Sequence, residues 1–160
     1  MSNKLQSELQ IEINAPIEVV GKYADDLSLI TSFHPLVKQV EYLSGTQFRD
    51  KGVKYKCIVP DGPRKGSCVE EVVEYEKNKR MVVKTPEDTW GLHKLLHDFT
   101  SEITLTEKGK DKTILELKNY YDPIGLKGKL SNFFIKRKMK KQFIDTFAAL
   151  KKLIESENNK

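Results

Sequence analysis

Few residues in this chain have the types and spacing that chemistry requires. His93 and His97 stand four apart, which on a helix would put two imidazoles on one face at metal-ligand spacing. The stretch from Trp90 to Phe99 reads instead as strand-rich, and in extended chain such positions lie roughly 13 Å apart at about 3.3 Å per residue. One ion does not bridge that distance, and the protease form of the motif also needs a Glu after the first histidine, where Lys94 stands. No metal is expected. His34, before Pro35, has two readings, a proton-mobile group at the edge of a binding site or a ring that satisfies backbone groups before the proline turn. Cys57 has no histidine fixed near it by sequence to draw out its proton. Two cysteines, Cys57 and Cys68, form neither a metal knuckle nor a disulfide framework. No Ser-His-Asp or Cys-His arrangement, phosphate loop or carboxylate pair can be assembled, so no catalytic set and no cofactor is assigned. What remains is a scatter of polar residues in strand-like sequence: Tyr55, Glu71, Ser101, Asn119 and Tyr121. Gathered on one inner face they would bond a ligand or one another. A desolvated Glu71 with Tyr55, Tyr121 or His34 would also supply acid-base groups.

The elements that must position these residues are legible from periodicity. Ile135, Met139, Phe143, Phe147, Leu150 and Ile154 form one helical stripe, predicting a long basic amphipathic helix from near Pro123 or Ser131 to about Glu155. Leu9, Ile11 and Ile13 alternate with polar residues as a half-buried strand. Asn14-Ala15-Pro16 then opens two short helices in tandem, with Asp25 or Asp26 available as a cap for the second. Six further strands follow: Lys38 to Leu43, Val53 to Val59, Ser67 to Glu76, Arg80 to Lys84, Leu95 to Thr106 and Thr113 to Tyr121. Their short turn-rich links predict an antiparallel meander. The fold class is α+β, a curved sheet closed by the long C-terminal helix.

Parity assigns the faces. Val53, Tyr55, Cys57 and Val59 point inward, as do Phe99, Ser101, Ile103 and Leu105, and Leu115, Leu117, Asn119 and Tyr121. On the strand after Asp61-Gly62 the apolar set Val69, Val73 and Tyr75 would take Glu71 inward with it. Cys68 would then point away from Cys57, excluding a disulfide by geometry. An interior that includes Tyr, Ser, Asn and Cys is rarely filled by its own side chains, so a cavity is expected between sheet and helix. Trp90, on the loop from Pro86 to His93, would be a lid or a surface clamp.

The chain has 160 residues, 38% hydrophobic and 32% charged, which suits one well-solvated domain over 1–160. The start lacks the apolar core of a secretory signal and no run is long enough to span a bilayer, so a cytoplasmic location is expected. The formal charge is +5, and Lys127, Lys129, Lys136, Arg137, Lys138, Lys140 and Lys141 form a block without an acid. This is a solvated helix face, or a footprint for an anionic membrane or acidic partner through Lys136, Arg137, Lys140 and Lys141. The absence of zinc spacing or any reading motif argues against nucleic acid.

In their order along the chain, Ile13-Asn14-Ala15-Pro16 with Val19, Val20 and Tyr23, Asp26 to Val37 with Phe33-His34-Pro35, Glu70 to Met81, Lys112-Thr113, and Tyr121-Asp122-Pro123 with Gly125 resemble the START-like, or SRPBCC, superfamily. This superfamily of helix-grip ligand binders includes lipid-transfer domains, aromatic polyketide cyclases and plant pathogenesis-related proteins. The resemblance covers essentially the whole chain. It implies a hydrophobic or amphipathic small molecule held between sheet and helix, meeting His34, Tyr55, Cys57, Glu71, Phe99, Ser101, Asn119, Tyr121, Phe134, Met139 and Phe143. It leaves open whether the chain carries that molecule or, as a cyclase or dehydratase, acts on a polyketide-like or aromatic one.

Overall fold

A computed structural model describes residues 3–160. Seven strands, β1 (Leu5–Ile13), β2 (Gln39–Glu41), β3 (Lys54–Asp61), β4 (Arg64–Glu76), β5 (Arg80–Asp88), β6 (Leu96–Glu107) and β7 (Thr113–Pro123), form one curved antiparallel sheet in the order β1-β7-β6-β5-β4-β3-β2. Helix α1 (Ile17–Asp25), a 3-10 turn (Leu27–Leu29) and α2 (Ile30–Phe33) separate β1 from β2, and α3 (Gly125–Asn158) closes the chain. The element order is the one the periodicity predicts. Pro16 flanks α1 with its carbonyl accepting from Val19 and Val20 N-H. Asp26 caps the 3-10 turn, accepting from the Ser28 backbone N-H at 2.9 Å. The β4 to β5 turn places Asn78 at φ 56°, a left-handed conformation that asparagine tolerates.

The inner-face assignments hold on β3, β6 and β7 and fail on β4. Counted outward from the Asp61–Arg64 pair, Cys57 stands opposite Cys68 and Tyr55 opposite Glu70, so Cys68 and Glu70 share the inner face. Between Val72 and Glu74 the register against β5 shifts, and Tyr75 returns to the inner side opposite Met81. Parity read back from Tyr75 crosses that irregularity and inverts everything before it. Glu71 therefore lies on the outer face, 3.6 Å from Lys54 Nζ. The geometric exclusion of a disulfide falls with it, because the two cysteines are cross-strand neighbours, both free.

Two buried clusters fill the interior. One joins Ile13, Val20, Tyr23, Leu115 and Leu117 to Phe147, Leu150 and Ile154 of α3. The other joins Leu27, Ile30, Tyr55, Cys57, Val72, Met81 and Val83. Phe33 and Ile103 pack against both. The second half of α3 is pinned to the start of the fold. Lys151 Nζ donates to the Glu12 carbonyl at 2.6 Å, Glu155 accepts from Asn14 N-H at 2.9 Å, and the Tyr23 hydroxyl donates to Glu157.

The first half of α3 is seated differently. The Ile124 N-H donates to the Leu95 carbonyl at 2.7 Å, and Gly128 passes so close that a Cβ there would lie 2.6 Å from the same oxygen. Gly128→Ala gains about 1 kcal/mol of helix propensity. It overpacks a backbone oxygen that cannot rotate away, at a cost in the upper part of the roughly 1–3 kcal/mol such insertions carry. A net loss of about 1–2 kcal/mol in a urea titration is the expected result. In this half Ile135 and Met139 are partly buried on the inward stripe, whereas Phe134 is exposed on the far side, edge-on to Phe133 with ring centroids 5.4 Å apart. Phe134 is thus no wall of an interior, since it falls outside the arc of the stripe.

Candidate functional site

The inner face of β3 and β4 carries a connected polar cluster. Arg49, on the loop before β3, donates from Nε and Nη2 to the Tyr55 hydroxyl at 3.0 and 2.7 Å, and from Nη1 to the Ala24 carbonyl at 2.5 Å. The Tyr55 hydroxyl donates to Glu70 Oε2 at 2.5 Å. Burial, opposed by Arg49 and reinforced by Glu70, holds the Tyr55 phenol protonated well above its usual range. Burial works against the Arg49 charge, and Tyr55 and Glu70 more than offset it. The Cys57 thiol, bonded toward Cys68 and buried, is pushed far up, so it is no nucleophile. Cys57, Cys68 and Glu70 offer three donor atoms within 4.8 Å of one another, the one such grouping among the described residues. The neighbouring guanidinium opposes a cation there.

Across the sheet, Ser101 Oγ donates to Asn119 Oδ1 at 2.7 Å and Asn119 Nδ2 donates to Ser7 Oγ at 3.0 Å. The Tyr121 hydroxyl donates to Asn132 Oδ1 of α3 at 2.8 Å, and its ring stacks on Phe99 with centroids 5.6 Å apart. Phe99, Ile135 and Met139 are half-buried yet belong to neither core cluster. A cleft of about 260 Å³ opens beside Lys84, Thr85, Pro86, Leu96, His97 and Phe99. Trp90 lies against β4. A Cβ on Gly66, which shares the inner face with Cys68, would lie 2.5 Å from the Trp90 ring.

The expected residues therefore divide. Tyr55, Cys57, Asn119 and Tyr121 are buried on the inner face, Phe99 and Ser101 stand half-buried beside them, and Met139 and Phe143 face inward from α3. Phe143 packs against the first core cluster. Glu71 and Phe134 are outside. His34 serves backbone, its Nδ1 accepting from Leu36 and Val37 N-H, both at 3.1 Å. His93 is tied to Asp88, whose carboxylate accepts from the ring Nδ1 at 2.8 Å and from the Leu92 and His93 N-H groups at 2.9 Å. Arg49 and Glu70 were not foreseen. Arg49 sits in a loop with no periodic signal, but pairing β3 with β4 outward from the Gly62-Pro63 turn identifies Glu70 as the partner of Tyr55.

Burial, then Lys38, push the His34 pKa down from 6.5 to about 4. The folded state holds the ring neutral, so the unfolded chain binds the extra proton below pH 6.5. Stability from this group is complete above about pH 6.5 and falls as the pH drops toward 4. With the ring half-buried, the loss is on the order of 2 kcal/mol. Asparagine can accept from the same N-H groups without titrating, so His34→Asn is expected to flatten this segment of the stability profile in urea titrations from pH 7 to 4.

Residues 4–155 match the model of the family described as polyketide cyclase/dehydrase and lipid transport. The chain belongs to this family. The START-like resemblance is borne out with it. No curated protein sequence matches the chain. Solved structures share the fold of this chain at low identity. A START superfamily protein from Mycobacterium smegmatis is 13% identical with a TM-score of 0.75, covering 96% of this chain and 99% of its own. The Zhui aromatase/cyclase from a Streptomyces species is 12% identical with a TM-score of 0.74, covering 93% and 92%. A norcoclaurine synthase from Thalictrum is 13% identical with a TM-score of 0.73, covering 99% of each. At such identities the likeness is one of fold. Among the described residues, no helix is long and apolar enough to cross a membrane.

Proposed function

We propose that the chain binds an apolar or amphipathic small molecule, lipid-like or aromatic, between the inner face of the sheet and the first half of α3. The observation that carries this reading is the half-exposed set Phe99, Ile135 and Met139, inward-facing yet outside both core clusters. A ligand covering them gains about 25 cal/mol for each Å² of apolar surface removed from water. Tyr121, whose hydroxyl donates to Asn132, retains acceptor capacity for a polar group on that ligand. The family description, polyketide cyclase/dehydrase and lipid transport, is in keeping with such a molecule.

The distribution of acid-base groups favours binding over turnover. Glu71 is on the outer face, the inward Glu70 carboxylate accepts from Tyr55, which is held protonated, the Tyr121 hydroxyl donates to Asn132, and the His34 lone pair is engaged by backbone. Non-denaturing mass spectrometry of the purified chain, followed by organic extraction, tests the proposal. A discrete added mass identified as a lipid or aromatic compound is expected, or saturable uptake of 1-anilinonaphthalene-8-sulfonate by protein that arrives empty. Bare protein with no saturable uptake would overturn it.

A further inference from the structure

The first half of α3 carries an apolar surface that the fold leaves uncovered. Leu126, Leu130, Phe133 and Phe134 are 74%, 69%, 66% and 72% exposed. At helical spacing Leu126, Leu130 and Phe133 form one stripe with Phe134 at its edge. The opposite side of the same turns is fixed by the Tyr121 to Asn132 hydrogen bond and by the seat of Gly128 on Leu95. The helix therefore cannot roll this stripe inward without breaking both. Four large apolar side chains within nine residues exceed the scattered single exposures of an ordinary surface.

The charge around the stripe is equally one-sided. Lys127, Lys129, Lys136, Arg137, Lys138 and Lys140 lie along it, with no acid between Gly125 and Ile144. Among the described residues none of these six has a carboxylate within 4.0 Å, whereas Lys141 is paired with Asp145 at 2.8 Å. A second copy of the chain is a poor cover, because a symmetric contact would bring two basic patches together. A surface that accepts apolar side chains beneath a layer of negative charge matches both features.

We propose that this half of α3 docks the protein on an anionic lipid bilayer. Leu126, Leu130, Phe133 and Phe134 enter the headgroup boundary, and the flanking lysines and Arg137 meet the lipid charges. The inference goes beyond small-molecule binding and does not depend on it, since these side chains are exposed on the side of the helix away from the sheet.

Vesicle pelleting of the full chain tests it, with phosphatidylcholine alone or mixed with phosphatidylserine. The expected result is at least tenfold tighter binding to the mixed vesicles, falling as salt is raised. A Leu126→Ser, Phe133→Ser, Phe134→Ser variant should bind them at least tenfold more weakly. Lys136→Glu with Arg137→Glu and Lys140→Glu should abolish the preference for phosphatidylserine. Both variants change exposed side chains, and an unaltered urea midpoint would show that the fold is intact. Equal binding to both vesicle types, binding to neither, or mixed-vesicle binding indifferent to the serine variant would overturn the proposal. So would a dimer in sedimentation velocity that the serine variant dissolves.

Discussion

Arg49→Met is expected to cost about 2–4 kcal/mol of stability, although Arg49 lies on a loop. Its guanidinium makes three hydrogen bonds, two to the Tyr55 hydroxyl and one to the Ala24 carbonyl, and it is the nearest positive charge to Glu70 in that cluster. Methionine keeps much of the apolar stem and removes every donor. The Ala24 carbonyl then loses its partner, Tyr55 loses two, and the Glu70 carboxylate is left with the Tyr55 hydroxyl and the two cysteine sulfurs but no positive charge beside it. Breaking a fully buried charged arrangement costs about 3–5 kcal/mol. Arg49 is half-buried, so returning water reduces that figure. The double variant Arg49→Met, Glu70→Gln should recover a substantial part of the loss, because the stranded charge goes too. A urea titration showing the single variant within about 0.5 kcal/mol of the parent would mean that the cluster does not hold the end of α1 to the sheet.

Met139→Trp is expected to lower ligand affinity at least tenfold while changing stability by about 1 kcal/mol or less. Met139 faces inward on the same stripe as Phe143 and Phe147, yet it packs in neither core cluster. Because Met139 is only partly buried, an indole there can swing toward solvent without overpacking a core cluster, and on the proposed binding mode it would occupy the place of the ligand. The same bulk at Phe134, on the other side of the helix, should leave affinity unchanged, which makes Phe134→Trp the paired control. Titration of both variants with 1-anilinonaphthalene-8-sulfonate reads the difference. Equal affinity at Met139→Trp and parent would place the ligand elsewhere.

The parts of this molecule legible in its sequence are those with an uninterrupted period. The second half of α3, from Phe143 to Ile154, and the alternating faces of β3, of β7 and of β6 from Ser101 onward were readable because each side chain's direction follows from its neighbour's. The β4 face was not, because one irregularity between Val72 and Glu74 inverts the parity of all that precedes it. Anchoring the count at the Gly62-Pro63 turn would have placed Glu70 and Cys68 inward, since register there is fixed by the turn. Phe134 was misplaced for a different reason. It is one residue from Ile135, so on a helix it points about 100° away, and hydrophobicity alone does not say which of two adjacent residues is buried. Arg49 had no local signal at all. Its role arises from a contact between a loop and a strand whose approach no periodicity encodes.

The most direct test of the binding site is methyl-resolved NMR of isoleucine-, leucine- and methionine-labelled protein titrated with 1-anilinonaphthalene-8-sulfonate. The probe is anionic and apolar, so the exposed basic face of α3 competes with the interior for it. Saturable shifts at Ile103, Ile135 and Met139, with Leu126 and Leu130 unmoved, are predicted. Shifts confined to Ile124, Leu126 and Leu130 would contradict an interior site and leave only the outer face of the helix as the place where apolar molecules are held.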